Sequence, residues 1–491
     1  KTPMTNFSWF IDAPIVLLYL IGTVSAGLYV RRYVHKVDDF LIAGRNVNLY
    51  LGIASLAASE FGTATCMANA ELGFKYGFAG ITPGIALALA MFVVGRTGFC
   101  IKPLRDKMVV TLPEFFEAKF GKRVRWASAV VIVLGGLLNM GVFLRQAGVY
   151  LSIVCGFNPA YLELIMTVIL VGIAIYTMLG GMLSILITDF IQFIVLSIGL
   201  ISVVFLLIFK FGWTPMLDAA NRNIGPGAFN PFINGQYGID RILLDIMLAF
   251  AAVLTWQTMI SRVLSAKDSA AGKKIYQGTS PFFLVRFTLP AILGVAALYY
   301  FGSARYNDNA ILAMPNLLAG IVPVGLMGVV VASMLAADMS TNSSYMLAWT
   351  SVIYNDVMKP IHKGLWPQKK GLRWNRILIG LIGVFLLLYG LWYPLKGDLW
   401  VYLQVTGTIY LASMSVILIA ACYWDKANNW GAIAAIATGF IIPVSFLVMQ
   451  QLQQTQAAMQ KIGPYKFGVA TYIFTGIAMF VGSSIKNSRK K

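Results

Sequence analysis

Residues 332–345 read Ala-Ser-Met-Leu-Ala-Ala-Asp-Met-Ser-Thr-Asn-Ser-Ser-Tyr, and the segment continues with helical character to Asp356. Ala337, Ser340, Thr341 and Ser344 recur at i, i+3, i+4 and i+7, which sets small side chains, three of them hydroxyls, along one stripe of a helix. In a chain this apolar, the segment is a membrane-spanning helix. A stripe of neutral hydroxyls facing a bundle interior suits a small hard cation, which takes oxygen ligands and tolerates little bulk. The same stripe also serves close helix packing. The rest of the chain decides between the two.

Of the 491 residues, 58% are hydrophobic and 12% charged, and mean hydropathy is +0.76. A soluble domain carries roughly twice that charge. Thirteen stretches approach the ~20 apolar residues needed to cross a bilayer. They lie at 12–29, 50–72, 80–100, 126–156, 160–179, 185–209, 242–264, 281–301, 322–356, 377–392, 399–423, 431–449 and 467–485. The 377–392 stretch is short and is expected to begin earlier. The chain is thus an all-α, multi-pass protein whose first partner is the lipid bilayer.

The net charge of +19 is unevenly placed. Most of the 38 Lys and Arg fall in alternate loops, including residues 102–125, 262–274 and 359–376. This is the positive-inside bias. It puts the N-terminus outside and the basic tail 486–491 in the cytoplasm, and it argues against a nucleic-acid partner. Short loops are in keeping with a bacterial inner membrane. Cys66, Cys100, Cys155 and Cys422 sit in or beside spans without metal-ligand spacing. His35 and His362 are the only histidines, both in basic loops. With no nucleophile–base constellation and no cofactor motif, the chain is not expected to be an enzyme. No obligate protein partner is implied.

Two spans are chemically odd. The second holds Ala57-Ala-Ser-Glu-Phe-Gly-Thr-Ala-Thr-Cys66, a carboxylate, a glycine and three hydroxyls at membrane depth. The seventh holds Leu254-Thr-Trp-Gln-Thr258. They open two five-span runs, 50–209 and 242–423. Five is odd, so the runs start on opposite sides of the membrane. That is the pattern of an inverted repeat whose interrupted first helices meet at the midplane. Residues 12–29 form one extra helix before the repeat and 431–485 two after it. The 212–241 connection, rich in Gly, Pro and Asn, has room for short surface helices. The whole of 1–491 reads as one transporter domain.

At these residues the chain resembles the sodium:solute symporter family, which includes bacterial sodium-coupled proline, galactose and sialic acid transporters. Ala337-Asp-Met-Ser-Thr341 is similar to that family's Ala-x-x-Ser-Ser/Thr motif. Tyr176-Thr-Met-Leu-Gly-Gly-Met with Thr188-Asp189, Arg262-Val-Leu-Ser-Ala-Lys-Asp268, and Leu403-Gln-Val-Thr-Gly407 match further family patterns in order. The resemblance spans essentially the whole chain and implies a LeuT-type 5+5 inverted repeat.

It also implies sites. The main sodium site would take carbonyls of Ala58, Phe61 and Ala337 and hydroxyls of Ser340 and Thr341. A second sodium site, present in some members, would use Asp189, Ser340, Ser343 and Ser344, making one or two ions per solute. Glu60, Thr63, Thr65, Trp256, Gln257 and Gln404 occupy positions near those used for solute. Asp338 replaces an apolar residue usual in the sodium motif. Arg145 is the cation read as lying at a depth similar to Glu60. It is either an internal partner or a planar fork for a carboxylate.

The expected function is sodium-driven import of a small organic solute by alternating access, leaning to a carboxylate or amino acid. A sugar or polyol symporter is the runner-up, from Gln404 and the hydroxyls. A solute sensor on a transporter fold is the alternative of another class. Such sensors usually carry a fused signalling domain, and none is read here.

Overall fold

The computed structural model describes residues 5–306, 309–362, 366–393 and 397–488. Residues 489–491 of the basic tail lie outside them. Nearly every described residue is helical, as lipid demands: with no water at membrane depth, each backbone N–H and C=O must find its partner within its own segment. Among the described residues, ten helical stretches are long and apolar enough to cross a membrane. Two of these, Thr63–Thr97 and Pro159–Phe211, are 35 and 53 residues long and serve more than one pass. With Leu326–Val352, which is too polar for that count, thirteen helical passes can be traced among the described residues.

The membrane helices are α1 (Asp12–Val30), α2 (Leu49–Ser59), α3 (Thr63–Tyr76), α4 (Thr82–Thr97), α5 (Lys122–Met140), α6 (Phe143–Val154) and α7 (Leu162–Phe211). They continue as α8 (Ile239–Thr255), α9 (Gln257–Ser265), α10 (Ser269–Phe301), α11 (Leu326–Val352), α12 (Gln368–Trp392), α13 (Leu399–Tyr423), α14 (Asn429–Gln451) and α15 (Pro464–Ser488). The short 377–392 span does begin earlier, at Gln368. The 212–241 connection carries a surface helix, Trp213–Ile224.

Spans 160–179 and 185–209 are joined without a loop. The joint is Gly181 alone, at φ +54°. An L side chain is strained there, and a Cβ would stand 2.5 Å from the Phe40 carbonyl oxygen.

The polar spans two and seven are broken, as expected. Helix stops at Ser59 and restarts at Thr63, and it stops at Thr255 and restarts at Gln257 across an extended Trp256. Nearly all of α11 is buried. It packs against α1, α2, α5, α7 and α12. Asp12 on α1 fixes its start: Oδ1 accepts from Gly325 N at 2.8 Å and Gly328 N at 2.7 Å. A carboxylate suits the exposed amides and positive dipole end of a helix.

Candidate functional site

The first break brings the polar stripe of α11 against freed backbone. Ser340 Oγ donates to the Ala58 carbonyl and to the Ala337 carbonyl, each at 3.0 Å. Thr341 Oγ1 is buried and has no hydrogen-bond partner among the described residues. It points at Gly62, where a Cβ would stand 3.0 Å from it. Ala58, Ala337, Ser340 and Thr341 therefore converge at the break, and Phe61, whose N–H returns to the Ala58 carbonyl at 3.1 Å, lies in it. The donor set is neutral oxygen, and one oxygen is an orphan. Both features fit a small hard cation carried as cargo.

Glu60 lies inside the same break and faces a cavity of about 90 Å³. Its Oε1 accepts from Thr258 at 2.5 Å and its Oε2 from Tyr345 at 3.3 Å. Arg286 Nη1 stands 3.9 Å from Oε2, beyond hydrogen-bond reach. Arg286 Nε has no partner among the described residues. The guanidinium thus borders the cavity with donors to spare. Asp245 also lines the cavity; its Oδ1 accepts from Gln404 Nε2 at 2.6 Å, and its Oδ2 from Tyr237 at 2.7 Å. Trp256, Trp400 and Phe143 supply apolar walls.

Proline chemistry sets Arg286 in place. Pro290 has no N–H to give the carbonyl four residues earlier, which belongs to Arg286. Asn69 Nδ2 of α3 takes over that role, donating to the Arg286 carbonyl at 3.1 Å. Next to it, α3 and α10 touch backbone to backbone. A Cβ on Gly294 would stand 2.0 Å from the Ala70 carbonyl oxygen.

Of the residues expected near solute, the cavity gathers Glu60, Thr65, Trp256 and Gln404. Thr65 Oγ1 is also engaged with the Gly62 amide and carbonyl, capping α3. Three others lie apart. Thr63 donates to the Met334 carbonyl at 2.6 Å, tying α3 to α11. Gln257 is buried outside the cavity with both amide atoms unpartnered among the described residues. Arg145 is not beside Glu60. Its Nη1 donates to the Gly390 and Leu391 carbonyls at 2.9 and 3.3 Å. Those are end-of-helix carbonyls of α12, left without intrahelical partners and well matched to a cation. Arg286 and Asp245, which are not among the residues expected near solute, line the cavity. Both are charges within apolar spans, a signal that marks function by default.

Of the second group of expected sodium ligands, Asp189 and Ser344 are held by a side chain, and Asp189 Oδ1 has no partner among the described residues. Arg262 Nη2 donates to Ser344 Oγ at 2.5 Å and to Asp189 Oδ2 at 3.2 Å. Arg262 Nε reaches Ser55 Oγ at 3.2 Å, and Ser55 donates to Asp189 Oδ2 at 2.5 Å. Ser343 donates to the Ser340 carbonyl at 3.2 Å. Asp338 is buried, with Oδ2 unpartnered among the described residues, and Asn342 donates to its carbonyl at 3.0 Å.

Comparison with known proteins follows the same lines. A family model described as the sodium:solute symporter family matches residues 40–439. Sodium/glucose cotransporter 4 of Danio rerio is 23% identical over 89% of this chain and 72% of its own length. High-affinity choline transporter 1 of Torpedo marmorata is 25% identical over 84% and 70%. The solved structure of a Na+-coupled sialic acid symporter, substrate-bound and outward-open, superposes with a TM-score of 0.81 at 18% identity, covering 97% of this chain and 98% of that one. The overall fold is therefore the LeuT type.

Proposed function

The chain belongs to the sodium:solute symporter family, and we propose that it couples sodium entry to the import of a small carboxylate-bearing solute by alternating access. The observation that carries the solute class is Arg286, a guanidinium at membrane depth that borders a cavity with unspent donors. Its planar fork matches a carboxylate. Asp245 and Gln404, which line the same cavity, would receive an ammonium or hydroxyl, which favours an amino acid or hydroxy acid. The cavity supports a small occupant: about 90 Å³ is less than the ~150 Å³ that encloses benzene.

Sodium would sit on the carbonyls of Ala58, Phe61 and Ala337 and the hydroxyls of Ser340 and Thr341. An ion there bridges α11 to the break between α2 and α3, and Glu60 projects from that same break toward the solute. Binding of either cargo would thus order backbone that the other needs, and that is a coupling free energy between sites. Asp338 is set beside the ion by sequence but is given no ligand role. The transporter would work in a bacterial inner membrane with its N-terminus outside.

A sugar or polyol is the second reading. The carboxylate–amide pair Asp245–Gln404 and the Asn139 amide on the wall favour it. Uptake into proteoliposomes separates the two. Under an inward sodium gradient, amino acids and short carboxylates are expected to accumulate, with no accumulation in potassium. Accumulation of hexoses instead would overturn the carboxylate reading, and equal uptake in both salts would overturn coupling.

A further inference from the structure

Two of the four residues expected to hold a second sodium ion, Asp189 and Ser344, already hold a cation. We infer that the Arg262 guanidinium is the resident cation of the Asp189–Ser344 site, so that the chain binds one sodium ion, at the main site. The inference rests on the sodium-coupled reading above.

Space argues for it first. Arg262 Nη2 lies between Ser344 Oγ and Asp189 Oδ2, at 2.5 and 3.2 Å. An ion bridging the same two oxygens would overlap that nitrogen. Charge argues for it next. Asp189 and Arg262 are 0% and 1% exposed and form an ion pair. Sodium added to this pair would leave a net positive charge in a dry site, which is strongly unfavourable. An arginine cannot give up its proton to make room. Saturation is the third argument. All three guanidinium nitrogens are hydrogen-bonded: Nη2 as above, Nε to Ser55, and Nη1 to the Thr258 carbonyl at 3.3 Å and Ser261 Oγ at 3.4 Å.

The placement gives this cation a job. Arg262 belongs to α9, the second half of one interrupted helix. Ser55 belongs to α2, the first half of the other. Asp189 and Ser344 belong to the long helices α7 and α11. A single tethered guanidinium therefore fastens both half-helices to the scaffold, the task a second ion would otherwise perform. Being covalent, it consumes nothing from the gradient.

The test is a count of bound 22Na+ on the purified full-length chain, by scintillation proximity at saturating sodium. Wild type is expected to bind one ion, and Ser340→Ala with Thr341→Ala to bind none. Arg262→Gln vacates the site beside an intact Asp189 and is expected to bind two, returning to one in the Arg262→Gln, Asp189→Asn double variant. Two ions on wild type would overturn the inference and leave the coupled reading standing. So would a count of one on folded Arg262→Gln. No ion on wild type would overturn both. If the Arg262 variants do not fold, the wild-type count decides alone.

Discussion

Two arginine–carboxylate pairs, Arg286–Glu60 and Arg262–Asp189, sit beside the interrupted helices and are built in opposite ways. The first is loose. Its closest approach is 3.9 Å, its carboxylate leans on the hydroxyls of Thr258 and Tyr345, and its guanidinium borders a cavity. The second is tight and dry. Its nitrogen–oxygen distance is 3.2 Å, and every guanidinium nitrogen is spent on protein oxygen. The same two side-chain types therefore do different work. An arginine whose donors are unspent can transfer them to an arriving carboxylate. An arginine whose donors are all used can only hold helices together. Burial of charge alone does not separate these roles; hydrogen-bond saturation and the neighbouring cavity do.

The contrast breaks most visibly in stability. Asp189→Ala leaves Arg262 buried and unpaired, and is expected to cost about 3–5 kcal/mol, read as a large fall in melting temperature. Glu60→Gln keeps an acceptor for Thr258 but turns an amide donor toward the Tyr345 hydroxyl, and is expected to cost less, about 1–3 kcal/mol. The reverse order would erase the distinction. In transport, Arg286→Lys removes the fork but keeps the charge. It is expected to raise the solute concentration for half-maximal uptake roughly 10- to 100-fold, taking a charged hydrogen bond as about 1.5–3 kcal/mol. The sodium concentration for half-maximal uptake should move far less. Asn69→Ala strands the Arg286 carbonyl that Pro290 leaves open. A cost of about 1–3 kcal/mol in thermal stability is expected, with weaker solute binding but unchanged sodium dependence at saturating solute. Thr341→Ala removes one neutral ligand and is expected to raise the half-saturating sodium concentration roughly tenfold, about 1.4 kcal/mol.

The helical, thirteen-pass architecture was legible because lipid imposes it: apolar length and loop charge are local properties. The stripe of Ser340, Thr341 and Ser344 was legible for the same reason, since a helix fixes its own faces. The breaks at Glu60 and Trp256 showed through their polar composition. What stayed hidden depends on which helices meet. Arg145 and Arg286 look alike in sequence, each an arginine in an apolar span. One caps the carbonyl end of α12 and the other borders the cavity, and only tertiary packing tells them apart. Arg262 opens a motif at the edge of a basic loop in sequence, whereas the chain folds it back to Asp189, 73 residues away. The exchange of a Pro290 amide for an Asn69 side chain has no local signature at all.

The most direct test of the account is the melting temperature of wild type and Arg286→Gln with α-amino acids and short carboxylates. Each ligand is paired with its neutral amide, in sodium and in potassium chloride. The account predicts a carboxylate that raises wild-type melting temperature in sodium only. Its amide should fail to do so, and Arg286→Gln should lose the shift. A sodium-dependent shift produced by glucose or another neutral polyol, and retained in Arg286→Gln, would contradict it.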